Sequence, residues 1–310
     1  MQDSILPNRR PIRLGLVMGL VSALLLVLSI GSVATAKEPE KREVKVEVSQ
    51  SKAVIESENK AVASKDELKI EFDNGSHNFN FEYESDGSTG ELESKIKVEL
   101  FDLIEWRDTN GNGRYDPNIA GEMVQKIGLG DLVSQSLTTA PVALEGISGV
   151  SVVGVSSAPA KYPSLQMTLK LHMFGEFLEL SGTSLEPTAM KFDVGINGFP
   201  FQRDDTALAL YAKVTMAAED ETEVKGEGEE AIGAHVGKYV SFFSWGTTVT
   251  VDGQPKPVGQ TIQKHEQKAE RGESELVSEV YLQYPRGAAI LHDPKLGVKP
   301  VETSGGCTIF

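Results

Sequence analysis

Apolar residues recur at every second position over most of the chain beyond residue 67. Leu68, Ile70 and Phe72 alternate with Lys69 and Glu71, and the pattern resumes after Asp73-Asn74-Gly75 with Phe79, Phe81 and Tyr83. Successive side chains of an extended chain point to opposite faces, so such a run buries one face and leaves the other in water. Two such runs around Asn-Gly predict a hairpin. The alternation returns at Ile96, Val98 and Leu100, which lead on to Ile104 and Trp106. It returns again at Leu165, Met167, Leu169, Leu171 and Met173, at Met190, Phe192, Val194 and Ile196, and at Leu208, Leu210, Ala212, Val214 and Met216. Residues 239–245, Val249 and Val251 before an Asp252-Gly253 turn, and Val280, Leu282 and Tyr284 complete the series.

No strand–helix–strand rhythm accompanies these runs, which argues against a doubly wound fold. The expected fold is all-β, an antiparallel β-sandwich of jelly-roll or Ig-like type spanning residues 67–300. Residues 260–271 are polar and are expected to form a surface helix. Residues 37–66 alternate charges and lack aromatics, and read as a polar stalk or linker in which residues 43–48 fit a strand. Residues 301–310 form a C-terminal tail.

The first 36 residues have a different character. Arg9, Arg10 and Arg13 precede an uncharged apolar run over residues 14–30, and Ala34-Thr35-Ala36 is followed by Lys37-Glu38. This is the layout of a secretory signal peptide with a small-x-small cleavage site. If the segment is retained, residues 14–30 approach the length of a membrane anchor. Either way the remainder is expected outside the cytoplasm, secreted or at the cell surface. Membrane contact is expected only through an uncleaved N-terminus.

The chain carries a formal charge of −15. Residues 1–36 hold three arginines and one aspartate, a net +2, so the remainder carries −17. Such a surface disfavours nucleic acid and favours cations. The single cysteine, Cys307, excludes an intramolecular disulfide, so an exported domain relies on its core or on a metal. Cys307-Thr308-Ile309-Phe310 also matches a prenylation pattern. That machinery faces the cytoplasm, and an exposed thiol that cross-links two chains fits export better.

The densest chemistry lies in Asp108-Thr109-Asn110-Gly111-Asn112-Gly113-Arg114-Tyr115-Asp116. Oxygen-bearing side chains stand at Asp108, Asn110 and Asn112, a glycine follows at Gly113, Arg114 offers its carbonyl, and Asp116 follows two residues later. Alternating oxygen donors around a sharp turn suit a hard cation that takes six to eight oxygen ligands. The stretch resembles the calcium loops of EF-hands and dockerin-type modules, over residues 108–116 only. The resemblance implies Ca2+ held by Asp108, Asn110, Asn112, Arg114 and Asp116. It departs from the pattern at the twelfth position, which is Ile119 rather than a bidentate carboxylate. Glu122, three residues late, is the nearest downstream acid, and Asp102 and Glu105 lie just upstream.

Other features are weaker. Asn74-Gly75-Ser76 is an N-glycosylation sequon, although turn preference also explains Asn-Gly. The acidic run through Glu219, Asp220, Glu221, Glu223, Glu227, Glu229 and Glu230 reads as a solvated loop. His292-Asp293 suggests a carboxylate-oriented imidazole beside the commoner reading of a turn. Trp106, Phe242, Phe243 and Trp245 offer rings for sugar stacking but fit a core role better. No phosphate loop, dinucleotide loop or nucleophile elbow is present. The expected function is a calcium-stabilised binding or structural protein outside the cytoplasm, without catalysis, with a surface protein or glycan as partner. The alternatives are a carbohydrate-binding module or a surface hydrolase that uses two carboxylates.

Overall fold

The computed structural model describes residues 41–60, 66–87, 90–157, 161–180, 183–218, 220–222, 229–268 and 274–301. In chain order its strands are β1 (Glu43–Ser49), β2 (Lys52–Glu58), β3 (Asp66–Asp73), β4 (Asn78–Gly87), β5 (Gly90–Trp106), β6 (Met123–Gly128), β7 (Val133–Ser134) and β8 (Thr138–Leu144). Then come β9 (Ile147–Ser157), β10 (Gln166–Phe174), β11 (Leu178–Leu180), β12 (Thr183–Leu185), β13 (Ala189–Asn197), β14 (Ala207–Ala218), β15 (Asp220–Thr222) and β16 (Glu229–Val236). The last are β17 (Tyr239–Gly246), β18 (Thr248–Val251), β19 (Gln254–Pro257), β20 (Gly259–Lys268), β21 (Ser274–Tyr284), β22 (Ala289–His292) and β23 (Lys295–Pro300). No helix among the described residues is long and apolar enough to cross a membrane. The expected signal segment, the first residues of the stalk and Cys307 lie outside the described residues, as do Glu219, Glu223 and Glu227 of the acidic run.

The chain is an all-β antiparallel sandwich. The first sheet runs β1-β2-β3-β4-β5-β14-β21-β20, with β6 on the far half of β5. The second runs β15-β16-β17-β23-β13-β10-β9-β7, with β8 on β9 and with β22, β18 and β19 extending from β13. The alternating apolar residues of both sheets meet in one core. Phe79 of β4 packs on Phe192 of β13 at 4.8 Å between ring centroids, and Tyr83 on Tyr239 of β17 at 5.4 Å. Polar ties cross the layer as well. His77 Nε2 lies 2.9 Å from Ser156 Oγ, and Ser94 bonds Ser241.

Four expectations need correction. First, residues 43–58 are not a stalk but the hairpin β1–β2, joined to β3 over seven residue pairs. On β2 the outward charges mask the alternation, while Ala53 and Ile55 are buried on the inner face. Buried Arg42 fixes its entry, donating to Ser57 Oγ, Ser57 O, Asp66 Oδ1 and Asp66 O at 2.8–3.0 Å. Second, residues 260–268 are strand, not helix. Their ladder with β21 runs from Gly259–Gln283 to Lys268–Ser274, and this pairing overrides a weak local preference.

Third, the β3–β4 hairpin forms, but not through a tight Asn-Gly turn. Asp73 pairs with Asn78, and the positive φ falls on His77 at 53°. The two-residue turns with both φ values positive are Glu145-Gly146 and the expected Asp252-Gly253.

Fourth, β5 does not keep one face throughout. Tyr211 of β14 faces Asp102, but Ala212 faces Leu100, so Phe101 is an extra residue in the ladder. This bulge reverses the phase. Ile96, Val98 and Leu100 point into the main core, as does Leu103, whereas Ile104 and Trp106 point outward into a separate cluster with Tyr115, Ala209 and Tyr281.

Candidate metal centre

The outward turn of Trp106 is what places the Asp108 loop. Past Trp106, the Arg107 amide donates to Glu122 O at 2.9 Å, and Trp106 pairs with Met123. Residues 108–121 are therefore an excursion from the β5–β6 hairpin, with Glu122 at its base. Tyr115 folds this excursion back onto the sheet. Its ring is buried against Trp106 and Tyr281, and its carbonyl accepts Thr261 Oγ1 at 2.6 Å and Gln283 Nε2 at 3.4 Å.

Asp108 organises the first half of the loop. Its Oδ1 accepts the amides of Gly111 at 2.7 Å and Asn112 at 3.2 Å, and its Oδ2 accepts Gly113 at 2.8 Å. The Gly113 amide is the main cause that holds the Asp108 carboxyl below its ordinary range, with Gly111 and Asn112 adding to it. Asn110 Oδ1 accepts the Asn112 amide at 2.9 Å, and Asn112 Oδ1 accepts that of Arg114 at 2.7 Å. Gly111 and Gly113 take φ of +78° and +74°, a region that side-chain-bearing residues rarely adopt. A compact ring of side-chain oxygens results, exposed on its outer side.

The second half returns by two turns. Asp116 Oδ1 accepts the Asn118 amide at 2.9 Å, Asp116 O accepts the Ile119 amide at 3.1 Å, and Ile119 O accepts the Glu122 amide at 3.3 Å. They deliver Glu122 to the loop, where its Oε2 accepts the Asp116 amide at 2.7 Å. Glu122 is fully buried, and its Oε1 has no hydrogen-bond partner.

Asp108, Asn110, Asn112, Arg114, Asp116 and Glu122 thus belong to one loop. Asp102 and Glu105 do not serve it. Asp102 pairs with Lys126 at 3.4 Å. Buried Glu105 accepts the Gln202 and Arg203 amides, Thr206 Oγ1 and Gln125 Nε2 at 2.6–3.0 Å, which ties the 202–206 segment to β5. Among the described residues, the group of three acids with ligand atoms within 4.8 Å of one another is Glu82, Glu84 and Glu93. Lys95 pairs with Glu82 and Glu93, so this group is a surface ion-pair network. Asp108, Asp116 and Glu122 do not all converge that closely.

The remaining sequence features resolve elsewhere. Asn74 is buried, and its Nδ2, the atom that would carry a glycan, donates to Gln135 O at 3.2 Å and Val155 O at 3.3 Å. The folded sheet leaves no room for a sugar there. His292 is oriented not by Asp293 but by Tyr284, whose hydroxyl lies 3.0 Å from Nδ1, while Nε2 donates to Gly246 O. Asp293 pairs with Lys191 at 3.3 Å instead. Phe243 and Trp245 lie in the main core, Phe242 in a smaller cluster with Phe174 and Leu178, and Trp106 in the outer cluster.

The outer aromatics stack on one another. Tyr211 lies between Phe101 and Tyr281, with centroids 5.4 and 4.8 Å apart and planes within 24° and 12°. Their ring faces pack against one another, and Phe101 at the end of the stack is 39% exposed. The sequence placed Glu105 only as an acid upstream of the loop and did not mark Tyr115. The bonds of Glu105 to Gln202, Arg203 and Thr206 and of Tyr115 to Thr261 and Gln283 join residues 97 or more positions apart. No known protein-family model matches the chain, and no curated protein is similar to it in sequence.

Proposed function

We propose that the chain is an exported β-sandwich that binds or builds at the cell surface and is stabilised by one calcium ion in the Asp108 loop. The observation that carries the reading is the preorganised ring of Asp108, Asn110 and Asn112 oxygens around two left-handed glycines, anchored to the sheet through Tyr115. The donors are a carboxylate, amide oxygens and backbone carbonyls, the set that a hard cation takes. The static β surroundings argue for a clip rather than a sensor that opens and closes. An exported domain without a disulfide gains from such an ion. A ligand that binds only the folded state stabilises it by about 2.7 kcal/mol at a hundredfold excess over its dissociation constant.

The export part of the reading rests on the sequence of residues 1–36. A hydrolase needs two facing acids in one cleft. The fully buried acids among the described residues, Glu105 and Glu122, have separate structural partners, so they lend that alternative no support.

The test is thermal unfolding in calcium and in chelator, for wild type and Asp108→Ala. Calcium is expected to raise the wild-type midpoint by several degrees and to leave the variant where the chelator leaves it. An unmoved wild-type midpoint removes the calcium reading.

A further inference from the structure

A fully buried carboxylate oxygen without a partner is costly, and buried polar atoms are otherwise almost always hydrogen-bonded. Glu122 Oε1 is such an atom, the one carboxylate oxygen among eight buried side-chain atoms without a partner among the described residues. Its sister Oε2 is held by the Asp116 amide, which fixes the carboxylate against the loop that Asp108 organises. We propose that Glu122 closes the calcium shell through Oε1, and that the closed loop is a latch that holds the edge strand β20 to the sheet. The proposal rests on the calcium reading above and adds the closing ligand and what the ion controls.

The chain of contacts is short. The ion draws on Oε1 of Glu122, and Oε2 of the same carboxylate fixes the Asp116 amide. That amide is one residue from Tyr115, whose carbonyl accepts Thr261 Oγ1 of β20 and Gln283 Nε2 of β21. Gln283 Nε2 also donates to Thr261 Oγ1 at 2.9 Å, so the three groups form one knot. Strand β20 is the last in its sheet and pairs with β21. Besides that ladder, it is held by Ile262 against the main core and by Gln260, which accepts Trp245 Nε1 at 2.8 Å. The Tyr115 knot adds a tie from the loop to this edge. Losing the ion leaves the Glu122 charge buried and uncompensated, which favours release of the base of the loop and with it the knot.

Glu122→Gln keeps the shape and an oxygen for the Asp116 amide, but puts an amide nitrogen where the ligand oxygen stood. Calcium affinity, read by titration calorimetry, is expected to fall at least about tenfold. The melting order is expected to reverse. In chelator the variant melts at or above wild type, because a buried unpaired charge is gone, and in calcium it melts below. Hydrogen exchange in β20 around Thr261 is expected to slow about tenfold with calcium in wild type and not in the variant. Thr261→Val touches no ligand but removes one arm of the knot. By reciprocity it is expected to weaken calcium about two- to tenfold. Unchanged calcium affinity in E122Q, a variant that melts below wild type in chelator, or β20 exchange indifferent to calcium in a wild type that binds it, each overturns this proposal alone. A wild type that does not bind calcium removes the proposal together with the reading beneath it.

Discussion

The ring of Tyr115 stands 6.0 Å from that of Trp106, on the outer face of the first sheet rather than in the core between the sheets. This relationship places the loop, and it lies beyond Phe101, an extra residue in β5. Deleting Phe101 would leave Leu100 and Asp102 opposite Ala212 and Tyr211 in an unbroken ladder, so Leu103 and Glu105 are expected to stay inward and Ile104 and Trp106 outward. Such a variant is expected to keep its cooperative unfolding transition, followed by near-ultraviolet dichroism. Phe101→Ala keeps the bulge and gives up only a ring that is 39% exposed and stacked on Tyr211, a loss of about 1 kcal/mol. A deletion variant without that transition would show that the bulge itself, and not the ladder on either side of it, holds the two faces.

Two buried histidines predict how stability depends on pH. Burial pushes the imidazoles of His77 and His292 down to about 4, from an ordinary value near 6.5. Above pH 6.5 both are neutral in the folded and unfolded chains, and their contribution is complete. As pH falls from 6.5 toward 4, the unfolded chain takes up protons that the folded chain refuses. Stability is expected to drop by up to about 3 kcal/mol for each histidine over that window. Urea midpoints at pH 7 and pH 4.5 measure the drop, and His292→Gln is expected to remove its share of the slope. A flat profile between those values would show that neither imidazole is held neutral.

Asn74 is expected to remain unmodified in the folded protein, even from a host that glycosylates its sequon. Intact mass of the purified chain checks this. Asn74→Asp would turn a carboxylate toward the carbonyls of Gln135 and Val155 in place of an amide donor. The expected loss is about 2–4 kcal/mol, from two bonds removed and like partial charges opposed. Gly154 shows how tight the site is, since a Cβ there would lie 2.5 Å from Asn74 Oδ1. A stable, glycosylated Asn74 would contradict the buried placement.

Period-2 alternation made most of the sandwich legible, because each run from Leu68 onward buries one face against a single neighbouring layer. It marked residues 43–48 as a strand but missed β2 and the hairpin, since on β2 the outer Glu and Lys outnumber the inner Ala53 and Ile55. It missed β20, a polar edge strand whose structure comes from its ladder with β21. The first half of the candidate site was legible, because Asp108 to Gly113 is a local motif whose side chains bond to their own backbone. The acid proposed to close it, Glu122, stands three residues past the twelfth position. Glu122 reaches the loop because the hairpin closes at Arg107, and hairpin closure follows the register of β5 and β6 rather than spacing along the loop.

The sequence by itself determined the all-β class, the Asp252-Gly253 turn and the local fold of the Asp108 loop, since these depend on neighbours within a few positions. Only the tertiary structure decided which face each residue of β5 occupies, that Asn74 and His292 are buried ties, and that Tyr115 fastens the loop to β20 and β21. The physical reason is the same in each case. One inserted residue, a strand pairing or a contact between distant segments reverses the environment of a side chain and leaves no local trace in the residues that experience it.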